Sequence, residues 1–279
     1  MQQGKTTQFE KNFEASSARV KKRLAAYLRD PEDGKNVHAM RTSLRRLEAA
    51  FLLLPKKERK RNKKQADACK AFFRANSRVR DLDIISAKIT ALGGDPFVDA
   101  IAGKRKAALV HALALARSLE KNKMPLAANA IKKKKSIDGD KLAARMDKVA
   151  GRLVCAIEER LPVVVGDSSK KEELHGLRKD LKKLRYMLEI LPAGRRKKYE
   201  RAVAKVVVGG SNSNSGSNNV MARLKELQGT LGLVRDCDIT IEYLQRVKGA
   251  GAVLQKGKDE RDALYEKFAK NMMMTIMAS

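Results

Sequence analysis

The feature of this sequence that most limits its fold is an internal duplication. Residues 37–55, VHAMRTSLRRLEAAFLLLP, align without a gap to residues 174–192, LHGLRKDLKKLRYMLEILP. A second pair of segments follows in the same order, with VRDLDI at residues 79–84 and VRDCDI at residues 234–239. The first pair is offset by 137 residues and the second by 155. A motif pair that occurs twice in the same order predicts two similar structural halves. A solenoid is not expected, because the repeat period is too long for one.

Each half is predicted to be a helical bundle. Apolar residues recur at three- and four-residue spacing, helix-forming residues are abundant, and no segment shows a convincing strand-like alternation. Segments with Pro, Gly or Ser interrupt the pattern and leave helices of about 15 to 30 residues, a range that suits bundles. We therefore expect an all-α fold of two similar bundles of about four helices each, residues 1–135 and residues 136–279. The predicted breaks are residues 31–35, 55, 93–96, 136–140, 165–169, 192–194 and 248–251, with a flexible Ser- and Asn-rich loop at 209–219.

Both copies of the longer motif are predicted to form helices with an apolar face beside a basic face. At 100° per residue, apolar side chains three and four positions apart fall on one side of each helix. Cations with the same spacing fall on the neighbouring side. We thus expect each half to present a row of cations that a buried apolar stripe holds in place. The apolar stripes are Val37, Met40, Leu44, Leu47, Phe51 and Leu54, and Leu174, Leu177, Leu181, Leu184, Leu188 and Leu191; the basic rows are His38, Arg41 and Arg45, and His175, Arg178, Lys182 and Arg185.

The net charge indicates which partner such rows would bind. Lys and Arg outnumber Asp and Glu by 61 to 32, a formal charge of +29, while 43% of residues are hydrophobic. This balance predicts a folded protein with a polyanionic partner and argues against a neutral small molecule. Five Tyr, seven Phe and no Trp are few for stacking on single-stranded bases, so phosphate groups are the better target.

Cysteine usage and hydropathy indicate the compartment. Cys69, Cys155 and Cys237 are too far apart for a zinc pattern or a disulfide framework, which favours a reducing environment. Residues 1–14 are polar and do not resemble a signal peptide, and no apolar run reaches the length of a membrane span. We expect a cytoplasmic protein without membrane attachment and without a cofactor.

The repeated pattern V/L-H-x-h-R-x-x-L-R/K-R/K-L, in which h is apolar and each copy is followed by R-D-x-D-I, resembles the CHAD family, the conserved histidine α-helical domain. The resemblance spans nearly the whole chain. It implies two bundles with pseudo-two-fold symmetry and a basic central cavity that binds inorganic polyphosphate, with an association with polyphosphate granules. The first copy has Glu48 where the second has Arg185, so the halves are expected to contribute unequally. By this resemblance the polyphosphate path would be lined by His38, Arg41, Arg45 and Arg46, and by His175, Arg178, Lys182, Lys183 and Arg185.

Catalysis and metal binding are not expected. The chain lacks the E-x-E-x-K motif of the triphosphate-tunnel domain to which many relatives are fused. Cations three and seven positions after each motif histidine would repel a divalent metal ion. The acid pairs in residues 81–83 and 236–238 do not face one another on a helix, so we expect ion pairs to neighbouring basic helices. The basic runs at residues 56–64 and 132–135 are expected to be solvated and to add long-range attraction.

Other functions stay open at this point. A charge of +29 would also attract DNA or RNA without sequence preference. A histidine on a helical bundle with a basic residue three positions later also resembles a histidine phosphotransfer module, although bulky cations flank both His38 and His175. A polyphosphate-hydrolysing enzyme is a third candidate, but it would need a metal or nucleophile constellation that the sequence does not present.

In a polyphosphate site, both His38 and His175 would act as cations, because a polyanion stabilises the imidazolium ion.

Overall fold

The computed structural model describes residues 7–122, 137–208 and 217–277, and within these ranges the chain is all-α, without a strand. This confirms the predicted fold class. Residues 132–135 and most of the predicted loop at 209–219 lie outside the described residues. The helices are α1 (Gln8–Arg29), α2 (Gly34–Leu53), α3 (Lys56–Arg61), α4 (Lys63–Ala91), α5 (Asp99–Lys121), α6 (Gly139–Gly166), α7 (Lys171–Ile190), α8 (Ala193–Val207), α9 (Ser217–Leu244) and α10 (Gly251–Met277), with a short 3-10 helix at Asp95–Phe97.

The chain divides into two compact units. Unit 1 contains Met1–Asp83, Ala100–Val149 and Glu189–Pro192, and unit 2 contains Ile84–Asp99, Ala150–Leu188 and Ala193–Ser279. The duplicated helix α2 lies in unit 1, and nearly all of its counterpart α7 lies in unit 2. The division into bundles of residues 1–135 and 136–279 stays a prediction.

Local capping sets where the first helices begin. The Thr7 hydroxyl accepts a hydrogen bond from the backbone N–H of Glu10, and the Glu10 carboxylate accepts one from the backbone N–H of Thr7, which forms a capping box. At the start of α2, the Asp33 carboxylate accepts from the backbone N–H of Lys35 at 2.8 Å. This cap fixes the start of the helix that carries the first basic row.

The predicted breaks agree with the observed helix boundaries wherever they fall in the described part of the chain. For example, α2 ends at Leu53 just before Pro55, and α4 ends at Ala91 before the glycine pair at residues 93–94. One detail differs, because α9 begins at Ser217, inside the segment predicted as a loop. Pro162 lies within α6 and does not end it.

In unit 1 the core forms where α2 packs against α1. Every residue of the predicted apolar stripe of α2 and its C-terminal cap is at most 8% exposed. Phe13 of α1 contacts Phe51 of α2 edge to face, with ring centroids 5.4 Å apart. Burial of each such side chain contributes about 1.5–3 kcal/mol. The apolar stripe of α2 is therefore confirmed as core.

In unit 2, α9 packs against α8 and α10, and the apolar stripe of α7 is buried. Leu174, Leu177 and Leu181 are at most 1% exposed. The Tyr265 hydroxyl of α10 donates to the carbonyl oxygens of Val164 at 2.9 Å and Val165 at 3.1 Å near the end of α6. The second predicted stripe is thus also core, and the basic side chains of α7 lie beside it on a half-buried side of the helix.

The second acid of each R-D-x-D motif forms an ion pair with the following helix. In unit 1, Asp83 accepts from Nε of Arg105 on α5 at 2.6 Å. In unit 2, Asp238 accepts from Nε of Arg261 on α10 at 3.1 Å, and both side chains are buried. These contacts confirm the expected ion pairs for the second acid of each pair, because the Asp83 and Asp238 carboxylates each bind a neighbouring helix.

Candidate phosphate-binding faces

The basic face of α2 lies over an aromatic ring in unit 1. The guanidinium carbons of Arg41 and Arg45 are 5.1 Å and 4.6 Å from the ring centroid of Phe73 on α4. Both arginines are half-buried, and His38, one turn before Arg41, is exposed. Cation–π contacts of this kind limit the rotamers of the guanidinium groups.

Arg46, the last predicted residue of this face, is engaged in an ion pair. Its Nε donates to Oε2 of Glu189 at 2.7 Å, and about a quarter of each side chain is exposed. Because a carboxylate already compensates this charge, the ion pair would weaken the contribution of Arg46 to anion binding. The prediction for Arg46 as a ligand is not tested by this contact, but the contact gives Arg46 a structural role.

His175 is the centre of a cationic cluster in unit 2. Its imidazole is half-buried, and Nδ1 is buried without a hydrogen-bond partner. Burial and, after it, the nearby charges of Arg235, Lys179, Arg178 and Lys182 together lower the pKa of His175 from 6.5 to about 4. The imidazole is therefore neutral near pH 7 in the unliganded protein. The cluster brings four cations around one group that can take up a proton.

Helix α9 approaches the basic face of α7 at a glycine. A Cβ atom at Gly232 would lie 4.0 Å from Nε and Nη2 of Arg178, so the guanidinium lies directly against this part of α9. Arg235 follows less than one turn later on α9, and its charge helps to lower the pKa of His175. The cationic cluster is therefore built from two helices, α7 and α9.

Arg185 is held by a hydrogen-bonded glutamine. Its Nε donates to Oε1 of Gln228 on α9 at 2.9 Å, and Nε2 of Gln228 donates to the carbonyl oxygen of Leu181 at 2.9 Å. The guanidinium also lies 4.4 Å from the ring centroid of Tyr186. Because Gln228 is neutral, these contacts orient the Arg185 guanidinium without cancelling its charge.

Lys183 belongs to a different side of α7. Its Nζ is 3.5 Å from Oδ1 of Asp180, and the side chain is 52% exposed. Arg160 of α6 donates to the other oxygen of Asp180 and packs over Gly176. Lys183 thus lies in an ion-pair group centred on Asp180 and is not one of the four cations around His175, which are Arg178, Lys179, Lys182 and Arg235.

Sequence reasoning missed Arg235 and Lys179 as members of this cluster. The repeated R-D-x-D motif contained a signal for Arg235, since an arginine recurs at the same place in both copies. The interpretation of the motif as structural is correct for its second acid but incomplete for its arginine. Within the described ranges, no group of three or more His, Cys, Asp or Glu side chains could hold a metal ion, and no helix is long and apolar enough to cross a membrane.

The comparisons with known proteins agree with the helical fold and the repeated motif. The family model described as "CHAD domain" matches residues 13–245, so this chain belongs to the CHAD family. The chain is also similar to the crystal structure of the CHAD domain from the plant Ricinus communis, with a TM-score of 0.59 and 15% sequence identity. That match covers 95% of this chain and 90% of the plant chain. No curated protein sequence matches this one.

Proposed function

We propose that this protein binds inorganic polyphosphate through the basic faces of α2 and α7, without catalysis and in the cytoplasm. The observation that carries this proposal is the cationic cluster of unit 2, in which Arg178, Lys182 and Arg235 surround the neutral His175. Like charges at close range repel one another, and a polyanion would relieve that repulsion. Membership of the CHAD family supports the same ligand.

The chemistry of polyphosphate suits such faces. A linear polyphosphate offers only oxyanions, so rigid guanidinium and ammonium donors suffice and no base edge has to be read. Helix α2, with 20 residues, is about 30 Å long, which allows contacts to several phosphates in succession. Each contact would replace condensed counterions by a fixed cation.

The contacts of the arginines support binding with little loss of conformational entropy. Phe73 orients Arg41 and Arg45, and Gln228 orients Arg185. Side chains that are already ordered lose less entropy when a ligand binds. The family resemblance leads us to propose further that two bundles with pseudo-two-fold symmetry enclose a basic cavity, in which both faces bind one polyphosphate chain.

Two rival functions are less well supported. Histidine phosphotransfer needs an accessible imidazole. The half-buried His175 with its flanking cations does not offer one, so this rival depends on the exposed His38, which Arg41 flanks one turn later. Non-specific nucleic-acid binding would use the same overall charge, but it requires no cluster around a buried imidazole. Phosphate labelling of His38 or His175 would support the first rival, and equal affinity for duplex DNA and polyphosphate at fixed salt would support the second.

Charge reversal tests the proposal directly. The double variant Arg41→Glu, Arg178→Glu removes one guanidinium group from each face and puts a repulsive carboxylate in its place. Polyphosphate affinity should therefore fall by more than about a hundredfold. The control Lys22→Glu, Lys258→Glu makes the same charge change at two exposed lysines outside the faces. Circular dichroism checks that both variants stay helical.

Titration calorimetry over a series of polyphosphate lengths completes the test, with tripolyphosphate, ATP and duplex DNA as competitors. Affinity should rise steeply with chain length and level off once the cations are occupied. If the control variant loses as much affinity as the double variant, the attraction is diffuse and the proposed faces are wrong. Equal affinity per site for tripolyphosphate and long chains would contradict an extended path.

A further inference from the structure

A second basic surface lies in unit 1 on α3 and the first half of α4, and none of the residues on it belongs to the proposed polyphosphate faces. Between Lys56 and Arg78 this segment carries exposed cations, and Asp67 is the one exposed acid in it. Asp67 compensates Lys63, with Nζ and Oδ2 2.5 Å apart. We call this the α3–α4 basic surface; its exposed cations are Lys56, Lys57, Lys60, Arg61, Lys63, Lys64, Lys70, Arg74 and Arg78.

The α4 part of this surface is a straight row. Lys70, Arg74 and Arg78 recur every four residues, so they follow one another along one side of the helix. From Lys63 to Arg78 the row extends for about 22 Å at 1.5 Å per residue. The buried side chains of Phe72 and Val79 form the opposite side of α4. The core therefore holds the row rigidly and keeps it facing solvent.

The matching helix of the other copy does not carry this row. At the 155-residue offset of the R-D-x-D motifs, Lys70 aligns with Lys225, but the next two positions are Gly229 and Leu233. Both are exposed, and Leu233 is 49% exposed. Helix α9 thus packs in unit 2 without cations at these two positions. Helix packing therefore does not require the cations at the corresponding positions of α4.

From these observations we propose that the α3–α4 basic surface binds the phosphate backbone of duplex nucleic acid, independently of the polyphosphate faces. A duplex is a stiff rod with one negative charge per roughly 1.7 Å, so a straight row on a convex helix can contact it from one side. A flexible polyphosphate gains more from cations on several sides. Single-stranded nucleic acid is disfavoured, because Phe72 is buried and Phe73 is covered by Arg41 and Arg45, so the α3–α4 basic surface itself presents no ring for base stacking.

The test is the triple variant Lys70→Gln, Arg74→Gln, Arg78→Gln, titrated against a fluorescent blunt-ended DNA duplex at salt concentrations between about 50 and 200 mM. Gln keeps a high helix propensity, so circular dichroism should be unchanged. Loss of three phosphate contacts should lower the slope of log affinity against log salt by about 2.7, and affinity at low salt should fall at least about tenfold.

The matched control is Lys258→Gln, Lys267→Gln, Lys270→Gln on α10, which changes the net charge equally at three exposed positions. It should leave the salt slope within about 1 of the parent value. The triple variant should also keep its polyphosphate affinity, which separates this proposal from the previous one. The proposal is overturned if the parent protein does not bind duplex at low salt or if both variants lose equal duplex affinity. It is also overturned if the triple variant loses polyphosphate affinity while duplex binding is unchanged.

Discussion

The affinity for polyphosphate should increase as the pH falls from 8 to 5, because His175 takes up a proton when the ligand binds. In the unliganded protein, burial and the charges of Arg235, Lys179, Arg178 and Lys182 lower the pKa of His175 from 6.5 to about 4. A bound polyanion compensates those cations and stabilises the imidazolium ion, so it raises this pKa. By linkage, a group whose pKa is higher in the complex strengthens binding as the pH falls toward that value.

The size of the effect follows from the size of the shift. If the ligand restores the pKa of His175 fully to 6.5, affinity at pH 5 exceeds affinity at pH 8 by about 30-fold. Burial is the largest cause of the shift and persists in the complex unless the ligand outweighs it. We therefore expect an increase of about 10- to 30-fold. Between pH 7 and 8 the affinity should change by less than about 1.5-fold, because the imidazole is mostly neutral there in both states.

Titrations of one long polyphosphate at constant ionic strength would measure this dependence. The variant His175→Asn removes the titrating group and should give a nearly flat profile between pH 8 and 5. The control His38→Gln alters the exposed histidine of the other copy and should retain most of the dependence. Side-chain NMR signals of His175 would report its pKa directly with and without ligand. Identical pH profiles for the parent and His175→Asn, or weaker binding at low pH, would refute the reasoning.

Three further predictions concern stability, each measured by urea denaturation. Leu181→Ala should lower the free energy of unfolding by about 2–5 kcal/mol, because Leu181 is buried; a loss below about 1 kcal/mol would show that the site tolerates the cavity. Arg261→Met should cost about 3–5 kcal/mol by leaving the Asp238 carboxylate buried without its cation, and adding Asp238→Asn should recover part of that loss; no recovery would argue against the ion pair. Gly94→Ala should cost about 1–3 kcal/mol, since its Cβ would lie 2.8 Å from a neighbouring side-chain atom. Gly103→Ala, in open space within α5, should instead add about 0.5–1 kcal/mol, and the same sign for both would contradict the packing argument.

The helices and their faces could be predicted from the sequence because helical periodicity is local. Apolar residues at three- and four-residue spacing identify the buried sides of α2 and α7, and Pro or Gly mark most helix boundaries. The start of α9 at Ser217 was missed, because a Ser- and Asn-rich composition indicates a loop and carries no apolar periodicity. The charge and the duplicated motif were sufficient to identify the family.

Which groups surround each cation could not be predicted in the same way. Arg41 and Arg46 are five residues apart on α2, yet one lies over Phe73 and the other pairs with Glu189. His175 and Arg235 are far apart in sequence, and the packing of α9 against α7 brings them together. These contacts depend on the register between helices, which the period of one helix does not contain. The sequence by itself therefore determined the helices, their buried sides and the family, and it predicts a polyanionic ligand. Only the tertiary structure decided which cations are compensated, which are held in place and which surround a neutral histidine.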